Sequence, residues 1–325
     1  MENHFVKNIS FKNFKCFKKL KFDGFKRVNL LGGKNNVGKT SFMEGINLTV
    51  YSEDALKLHT NIRQMIKDRQ NDDIDIDFFY NDEDNININT DNKNIRITYI
   101  KDPIKENRTT SAPYFNLILG FSEFELDIYD FCNPKIIIKD DYHFIHSSKF
   151  NEEYIAALYG NVINLGKEDY IDNSLKMFDE NIIALRQIFN NNKVTLKLKL
   201  KDREKPVLLS SFGEGINRYI AIICAIWASK DGYLFIDEIE NGIHYTNYPK
   251  LWKLIFEISK EANCQIFAAT HSKECIEAFN KENKDNEGLY LELYRNQKTG
   301  LINIKDRDNE QLEYALLNNG EFRGE

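Results

Sequence analysis

No stretch of the sequence reaches 18 consecutive apolar residues, which excludes a membrane-spanning helix. The opening residues MENHFVKNISFKNFKCF carry no apolar signal core and no cleavage site, so a cytoplasmic location with no membrane partner is expected. Five scattered cysteines (Cys16, Cys132, Cys224, Cys264, Cys275) form no C-x-x-C pair. That argues against a zinc site or a disulfide framework and for reduced thiols. Basic charge is not in excess: 44 Lys and Arg stand against 50 Asp and Glu, a net charge of −6. This rules out a wholly basic nucleic-acid coat protein and leaves room for a local basic patch. Repeats, low-complexity tails and sustained heptads are missing as well. What is present is ordinary globular composition, 42% hydrophobic over 325 residues, enough for about two domains or one large one.

The pattern of apolar residues changes along the chain. Phe5, Lys7, Ile9 and Phe11 alternate with other residues as in a strand, and 27–31 is a second short apolar strand ending on Gly32 and Gly33. A helix is expected over Lys39–Tyr51, with Phe42, Met43, Ile46 and Val50 on one side. The stretches 74–78, 85–89 and 95–100 alternate with Asn and Asp between them, which reads as antiparallel strands with one wet face. A loop over 102–112, short strands at 136–138 and 142–145, and helices at 152–158 and 169–189 follow. In the last of these, Leu175, Phe178, Ile182, Leu185 and Phe189 keep helical spacing. After an amphipathic strand at 194–200 the order becomes helix (215–229), strand (Tyr233–Ile236), helix (247–261), strand (Gln265–Ala269), helix (273–280), then a closing hairpin. That order implies a parallel sheet with helices on its faces.

Three segments carry chemistry. Gly33-Lys34-Asn35-Asn36-Val37-Gly38-Lys39-Thr40 fits G-x-x-x-x-G-K-[ST] between an apolar strand and a helix, the context that confirms a phosphate loop. Gly33 and Gly38 let the backbone curl so that the N–H groups of the loop, Asn35 and Asn36 among them, face one anion. The helix N-terminus adds about half a positive charge there. Lys39 is placed for the β- and γ-phosphates and Thr40 for Mg²⁺, with Ser41 counted with the loop. An apolar strand ending in Asp237-Glu238 puts two carboxylates at the C-terminal edge of a sheet. Asp237 suits Mg²⁺ and Glu238 a water aligned for in-line attack. The strand before Thr270-His271-Ser272 is expected to run parallel to it, which brings His271 to the same edge as a γ-phosphate sensor. Ser210-Ser211-Phe212-Gly213 precedes a helix. Read alone, it is either an N-capping turn or a site for the γ-phosphate of a nucleotide held by another subunit.

Taken together these motifs resemble the ABC-type ATPases, in the branch that includes RecF, SMC and the OLD-family proteins, among them stand-alone bacterial AAA-family ATPases. The opening run Ile9-Ser10-Phe11-Lys12-Asn13-Phe14-Lys15-Cys16-Phe17 is similar to that branch's first strand. The string Phe235-Ile236-Asp237-Glu238-Ile239-Glu240-Asn241-Gly242 is similar to its Walker B and D-loop. The resemblance implies an α/β P-loop NTPase fold of ABC-ATPase type: a mixed central sheet with flanking helices, an antiparallel β unit and a helical/β insert. The expected division is an ATPase domain made of 1–60 and 190–325, with a lid or recognition subdomain over 61–189. It also implies ATP and Mg²⁺ as cofactors, Lys39 and Thr40 at phosphate and metal, Asp237 at metal, Glu238 as base, His271 as switch histidine and Asn241 in the D-loop. Ser211 and Gly213 match the signature that meets a partner's γ-phosphate. The Q-loop position falls at His146-Ser147-Ser148, where no glutamine stands.

A homodimer closed around ATP·Mg is therefore expected, as an ATP-hydrolysing switch gating a separate nuclease- or toxin-like effector, with a role in bacterial (phage) defence. The long coiled coil of SMC relatives is absent between the phosphate loop and the signature, and too few residues follow His271 for an OLD-type nuclease domain. An alternative is a RecF-like DNA-repair ATPase using Lys12, Lys15, Lys18, Lys19, Lys21, Lys26 and Arg27 against phosphates, for which the competing reading is a solvated strand face. A third is a nucleotide sensor that does not hydrolyse, which Glu238 and His271 argue against. A transporter motor is remote.

Overall fold

In the computed structural model the residues described are 4–70, 79, 83–102, 113–127, 143–147, 152–190 and 193–318. The strands expected at 74–78 and 136–138, and nearly all of the loop at 102–112, lie outside them.

The chain opens with β1 (Asn8–Phe14) and β2 (Phe17–Asp23), an antiparallel pair, and β3 (Val28–Gly32), which leads into the phosphate loop. β1 and β2 join β4 (Asn85–Thr90), β5 (Asn94–Ile100), β6 (Tyr114–Leu119) and β7 (Ser122–Asp127) in an antiparallel sheet of order β2-β1-β4-β5-β6-β7. Its strands alternate as the sequence implies. Ile9, Phe11, Ile86, Ile88, Ile95, Ile97, Phe115 and Leu117 point inward and are buried, and Lys12, Asn87 and Arg96 lie on the other face. A small sheet of β9 (Ile182–Asn190), β10 (Lys193–Leu200) and β11 (Val207–Leu208) stands separately.

The central sheet has order β15-β14-β3-β13-β12-β8, built from β8 (Phe144–Ile145), β12 (Tyr233–Ile236), β13 (Gln265–Ala269), β14 (Gly288–Arg295) and β15 (Ile302–Arg307) with β3. All its neighbours are parallel except the β14–β15 hairpin. Both faces are covered, which explains why these strands read as unbroken apolar runs. Phe235, Phe267 and Leu31 face the antiparallel sheet, with the Lys39–Tyr51 helix between the two sheets. Leu234, Ile236, Ile266 and Leu30 face the helices Glu214–Ala228, Tyr248–Glu261 and Lys273–Glu282. Residues of the helices Glu152–Asn164 and Glu168–Phe178 pack into that second core.

The helix expected over 169–189 is a correction. It ends at Phe178, and the chain re-enters as β9, which pairs along its length with β10. Asp179 closes the helix: its N–H donates to Leu175 O, and its carboxylate accepts from the Asn181 N–H. The 3-4-3-4 spacing from Leu175 to Phe189 spans two elements by coincidence. Phe189 is 71% exposed, so it belongs to no buried helical stripe. The strand β2, the helix Ala55–Gln70 and the β6–β7 hairpin carry no expectation from the sequence; the structure adds them.

Candidate functional site

The parallel register decides where the chemistry gathers. β3, β13, β12 and β8 all run the same way, so the residues that follow them emerge at one edge: the phosphate loop after β3, Thr270 and His271 after β13, Asp237 and Glu238 after β12, and His146 after β8.

The loop conformation needs its glycines. Gly38 caps the helix Lys39–Tyr51 in the left-handed region at φ 84°, and a Cβ there would lie 2.4 Å from Cys16 Sγ. Gly33 has φ 130°, and a Cβ would meet Leu293 O at 2.2 Å. Neither place admits a side chain without moving backbone or its neighbour. The first turn of the helix thus leaves its N–H groups facing a cleft of about 400 Å³ lined by Cys16, Asn35, Asn36, Lys39, Thr40, Ser41, Glu238 and His271, together with Val37 and Gly38.

Lys39 is 5% exposed, and its Nζ donates to Gly33 O (2.9 Å) and Lys34 O (3.0 Å) and lies 3.2 Å from His271 Nδ1. An ammonium has three donors and no acceptor, so Nδ1 accepts and the imidazole proton sits on Nε2. Burial pulls Lys39 down to about 8, against the pull of Asp237, Glu240 and Glu238 in the other direction. Burial also lowers His271, and the Lys39 charge lowers it further, so the ring is neutral near pH 7. The Thr40 hydroxyl donates to Asp237 Oδ2 at 2.9 Å. Burial pushes the Asp237 carboxyl up, and the Thr40 hydrogen bond partly offsets this. A hydroxyl and a half-buried carboxylate this close are hard oxygen donors. They fit a magnesium ion whose remaining ligands are water and phosphate.

Glu238 is a non-glycine residue in the left-handed region, φ 47°. Such a conformation costs about 1–2 kcal/mol and persists where surroundings enforce it. Here the Asn241 N–H and the Arg218 guanidinium both donate to Glu238 O, at 2.9 and 2.7 Å. Glu240 accepts from the His271 N–H at 2.6 Å, which ties the turn after β12 to the turn after β13.

The sequence-derived residues therefore divide. Gly33, Asn35, Asn36, Gly38, Lys39, Thr40, Ser41, Asp237, Glu238 and His271 come together around one cleft. Ser211, Gly213 and Asn241 do not line it. Ser211 closes a short 3₁₀ turn and Gly213 caps the helix Glu214–Ala228; both are exposed. Asn241 Nδ2 donates to Ser147 O at 2.8 Å. Sequence reasoning gave no role to Cys16, Arg218 and Glu240. Cys16 and Glu240 lie inside strings already singled out for other residues, and Arg218 lies one turn beyond the Ser211–Gly213 turn.

Comparison with known proteins follows the same line. A family model described as "AAA domain, putative AbiEii toxin, Type IV TA system" matches residues 28–277. The chain is 26% identical over 323 aligned residues to a protein of Helicobacter pylori named ATP/GTP phosphatase, covering 84% of this chain and 86% of that one. Among solved structures it resembles an SMC head bound to the C-winged helix domain of ScpA, with TM-score 0.55 and 14% identity over 95% of this chain and 99% of that one. The SMC head domain from Thermotoga maritima gives TM-score 0.52 and 14% identity, over 93% and 99%. At such identities the SMC heads show the fold: a P-loop ATPase domain of ABC type.

Proposed function

The chain belongs to the AAA-domain family described as putative AbiEii toxin, Type IV TA system, and is an ATPase of ABC, SMC-like type; from this we propose that it is a switch in which two copies close around ATP and reopen on hydrolysis. One observation carries the reading: Thr40 and Asp237, 197 residues apart in sequence, meet in a 2.9 Å hydrogen bond beside a cleft that Glu238 and His271 also line.

The division of labour follows from the positions. The loop N–H groups and Lys39 bind the β- and γ-phosphates, and Lys39 must exchange hydrogen bonds to Gly33 O, Lys34 O or His271 Nδ1 for phosphate oxygens. Thr40 and Asp237 would hold Mg²⁺, which would neutralise charge developing on the phosphates. Glu238 accepts a proton from the attacking water, which lies in line with the leaving oxygen. His271, freed from Lys39 as the lysine turns to phosphate, donates a ring N–H to the γ-phosphate. A sensor that does not hydrolyse would not need Glu238 held in a strained conformation facing the phosphates.

The exposed Ser211–Gly213 turn stands apart from its own cleft, and this supports a site completed by a second copy through a two-fold contact. With ATP and magnesium, the Glu238→Gln variant should double its mass in light scattering, and adding Ser211→Arg should return it to monomer. A mass that ignores ATP in both variants would remove the dimer from the reading. The family description names a toxin of a type IV TA system, and the switch as proposed gates a separate effector protein in bacterial defence. Co-purification with and without ATP tests the effector.

A second reading, as a DNA-binding ATPase, has its own observation. Lys12 stands directly opposite Lys19, Asn87 opposite Lys12 and Arg96 opposite Asn87, a row across four strands on the outer face of the antiparallel sheet. Like charges in direct register cost about 0.2–1 kcal/mol unless an anion is nearby. If that anion is a phosphate backbone, duplex binding should weaken with salt at a slope near 0.9 per phosphate contact. Lys12→Glu with Lys19→Glu should then lower affinity in fluorescence anisotropy about tenfold or more, with DNA-free ATP turnover unchanged. Absence of duplex binding at low salt would eliminate this reading.

A further inference from the structure

Arg218 is a charged side chain with 1% exposure, carried on the second turn of the helix Glu214–Ala228. Its guanidinium reaches backbone carbonyls at the ends of two parallel strands. Nη1 donates to His146 O, just past β8, at 3.2 Å, and Nη2 donates to Asp237 O at 2.5 Å and Glu238 O at 2.7 Å, just past β12. The carboxylates of Glu240, Asp237, Glu238 and Glu214 surround it electrostatically. Taking a guanidinium out of water is unfavourable, and an apolar side chain of similar volume packs there without that cost. A charge kept in such a place is explained by what it holds.

It holds the backbone from which Glu238 projects. The Glu238 carbonyl is fixed from two sides, by Arg218 and by the Asn241 N–H, and the residue, in its left-handed conformation, lines the phosphate cleft. The same helix begins at Gly213, beside the exposed Ser211. Its first turn packs so closely on the turn after Glu238 that a Cβ on Gly215 would lie 2.4 Å from Gly242 O. The Ser211–Gly213 turn, the start of the helix and the Glu238–Gly242 turn are therefore one packed piece, with Arg218 as its polar bolt. Displacement of the helix start has a short route to Glu238 O.

We propose that Arg218 is the positioning residue that couples the Ser211–Gly213 turn to Glu238, so that engagement of the turn by a second copy sets the base in its working position. The inference rests on the proposed readings of Glu238 as the base and of a site shared by two copies, and goes beyond them. Arg218 does not touch nucleotide; it acts through the Glu238 backbone.

The test uses the full chain with Arg218→Gln, Arg218→Lys, Glu238→Gln and the Arg218→Gln/Glu238→Gln double variant. Nucleotide affinity, turnover at saturating ATP and thermal midpoint are measured for each. Arg218→Gln should keep ATP affinity within about threefold and lose about 10²-fold in kcat. Arg218→Lys, which keeps a donor and loses the fork, should recover part of that loss. The double variant should turn over no more slowly than Glu238→Gln alone, since the two residues act as a unit. Losses that multiply, wild-type kcat in both single Arg218 variants, or a fall in affinity and thermal midpoint with kcat unchanged would each overturn the coupling. If Arg218→Gln does not fold, the kcat of Arg218→Lys decides. Normal turnover by Glu238→Gln would instead overturn the underlying reading, which keeps the two failures apart.

Discussion

Glu238→Gln is expected to slow ATP turnover by about 10²–10⁴-fold while ATP still binds. The amide has nearly the carboxylate's shape, and the contacts that hold residue 238 in its left-handed conformation run to its carbonyl oxygen, which the substitution leaves in place. Lys39, Thr40 and Asp237 also keep their partners, so the phosphate-binding part of the cleft is undisturbed. What disappears is a group able to take a proton from water. A phosphate-release assay beside a nucleotide titration separates the two effects, and turnover near wild type would remove Glu238 as the base. Asp237→Asn should fail differently. It removes the charge beside Thr40, so its loss should show in magnesium dependence.

Much of this site is legible in the sequence because its parts are local. The phosphate loop is a contiguous string whose glycines answer to backbone geometry. The strands Tyr233–Ile236 and Gln265–Ala269 are short apolar runs buried on both faces, and each ends at the residues that matter. The assembly of those parts also followed, since parallel strands deliver their C-terminal ends to one edge. What the sequence hides is long-range and ends on the backbone. Arg218 serves carbonyls of residues 146, 237 and 238, and a carbonyl has no residue type to read. Glu240 holds the His271 N–H for the same kind of reason. Cys16 is set against the phosphate loop by the turn between β1 and β2, where Lys15 pairs with Glu44 of the first helix at 2.8 Å. The misplaced helix at 169–189 has another cause. Its apolar spacing satisfied a helical period across a turn marked by Asp179 and Asn181 alone.

Lys39→Met is expected to abolish tight ATP binding without destabilising the nucleotide-free protein. Two effects with opposite signs meet at this residue. Each charge-assisted hydrogen bond to phosphate is worth about 1.5–3 kcal/mol, so losing one or two weakens ATP binding by about 10²-fold or more. Without nucleotide, however, the ammonium is buried against its preference. Burial holds it near 8 where an ordinary lysine stands at 10.5, a difference of about 3 kcal/mol against the charged form. The sign follows from proton linkage. Because the folded value is depressed, the penalty is present in full below about pH 8 and is lifted as pH rises toward 10.5. Methionine keeps the unbranched stem and carries no charge, so at pH 7 the variant's thermal midpoint should equal or exceed that of wild type when ATP is absent. The rise that ATP gives wild type should be missing. Between pH 8 and 10.5 the nucleotide-free wild type should gain stability relative to the variant. Binding of the triphosphate, whose charge restores the lysine's proton, should take up protons over the same window, and kcat/KM should fall above about pH 8. Thermal melts across pH and calorimetry in buffers of different ionisation enthalpy measure both trends. A variant that melts far below wild type without nucleotide would show that the bonds from Lys39 to Gly33 O and Lys34 O outweigh its desolvation. A variant that still binds ATP as wild type does would take Lys39, and with it the phosphate loop, out of the mechanism.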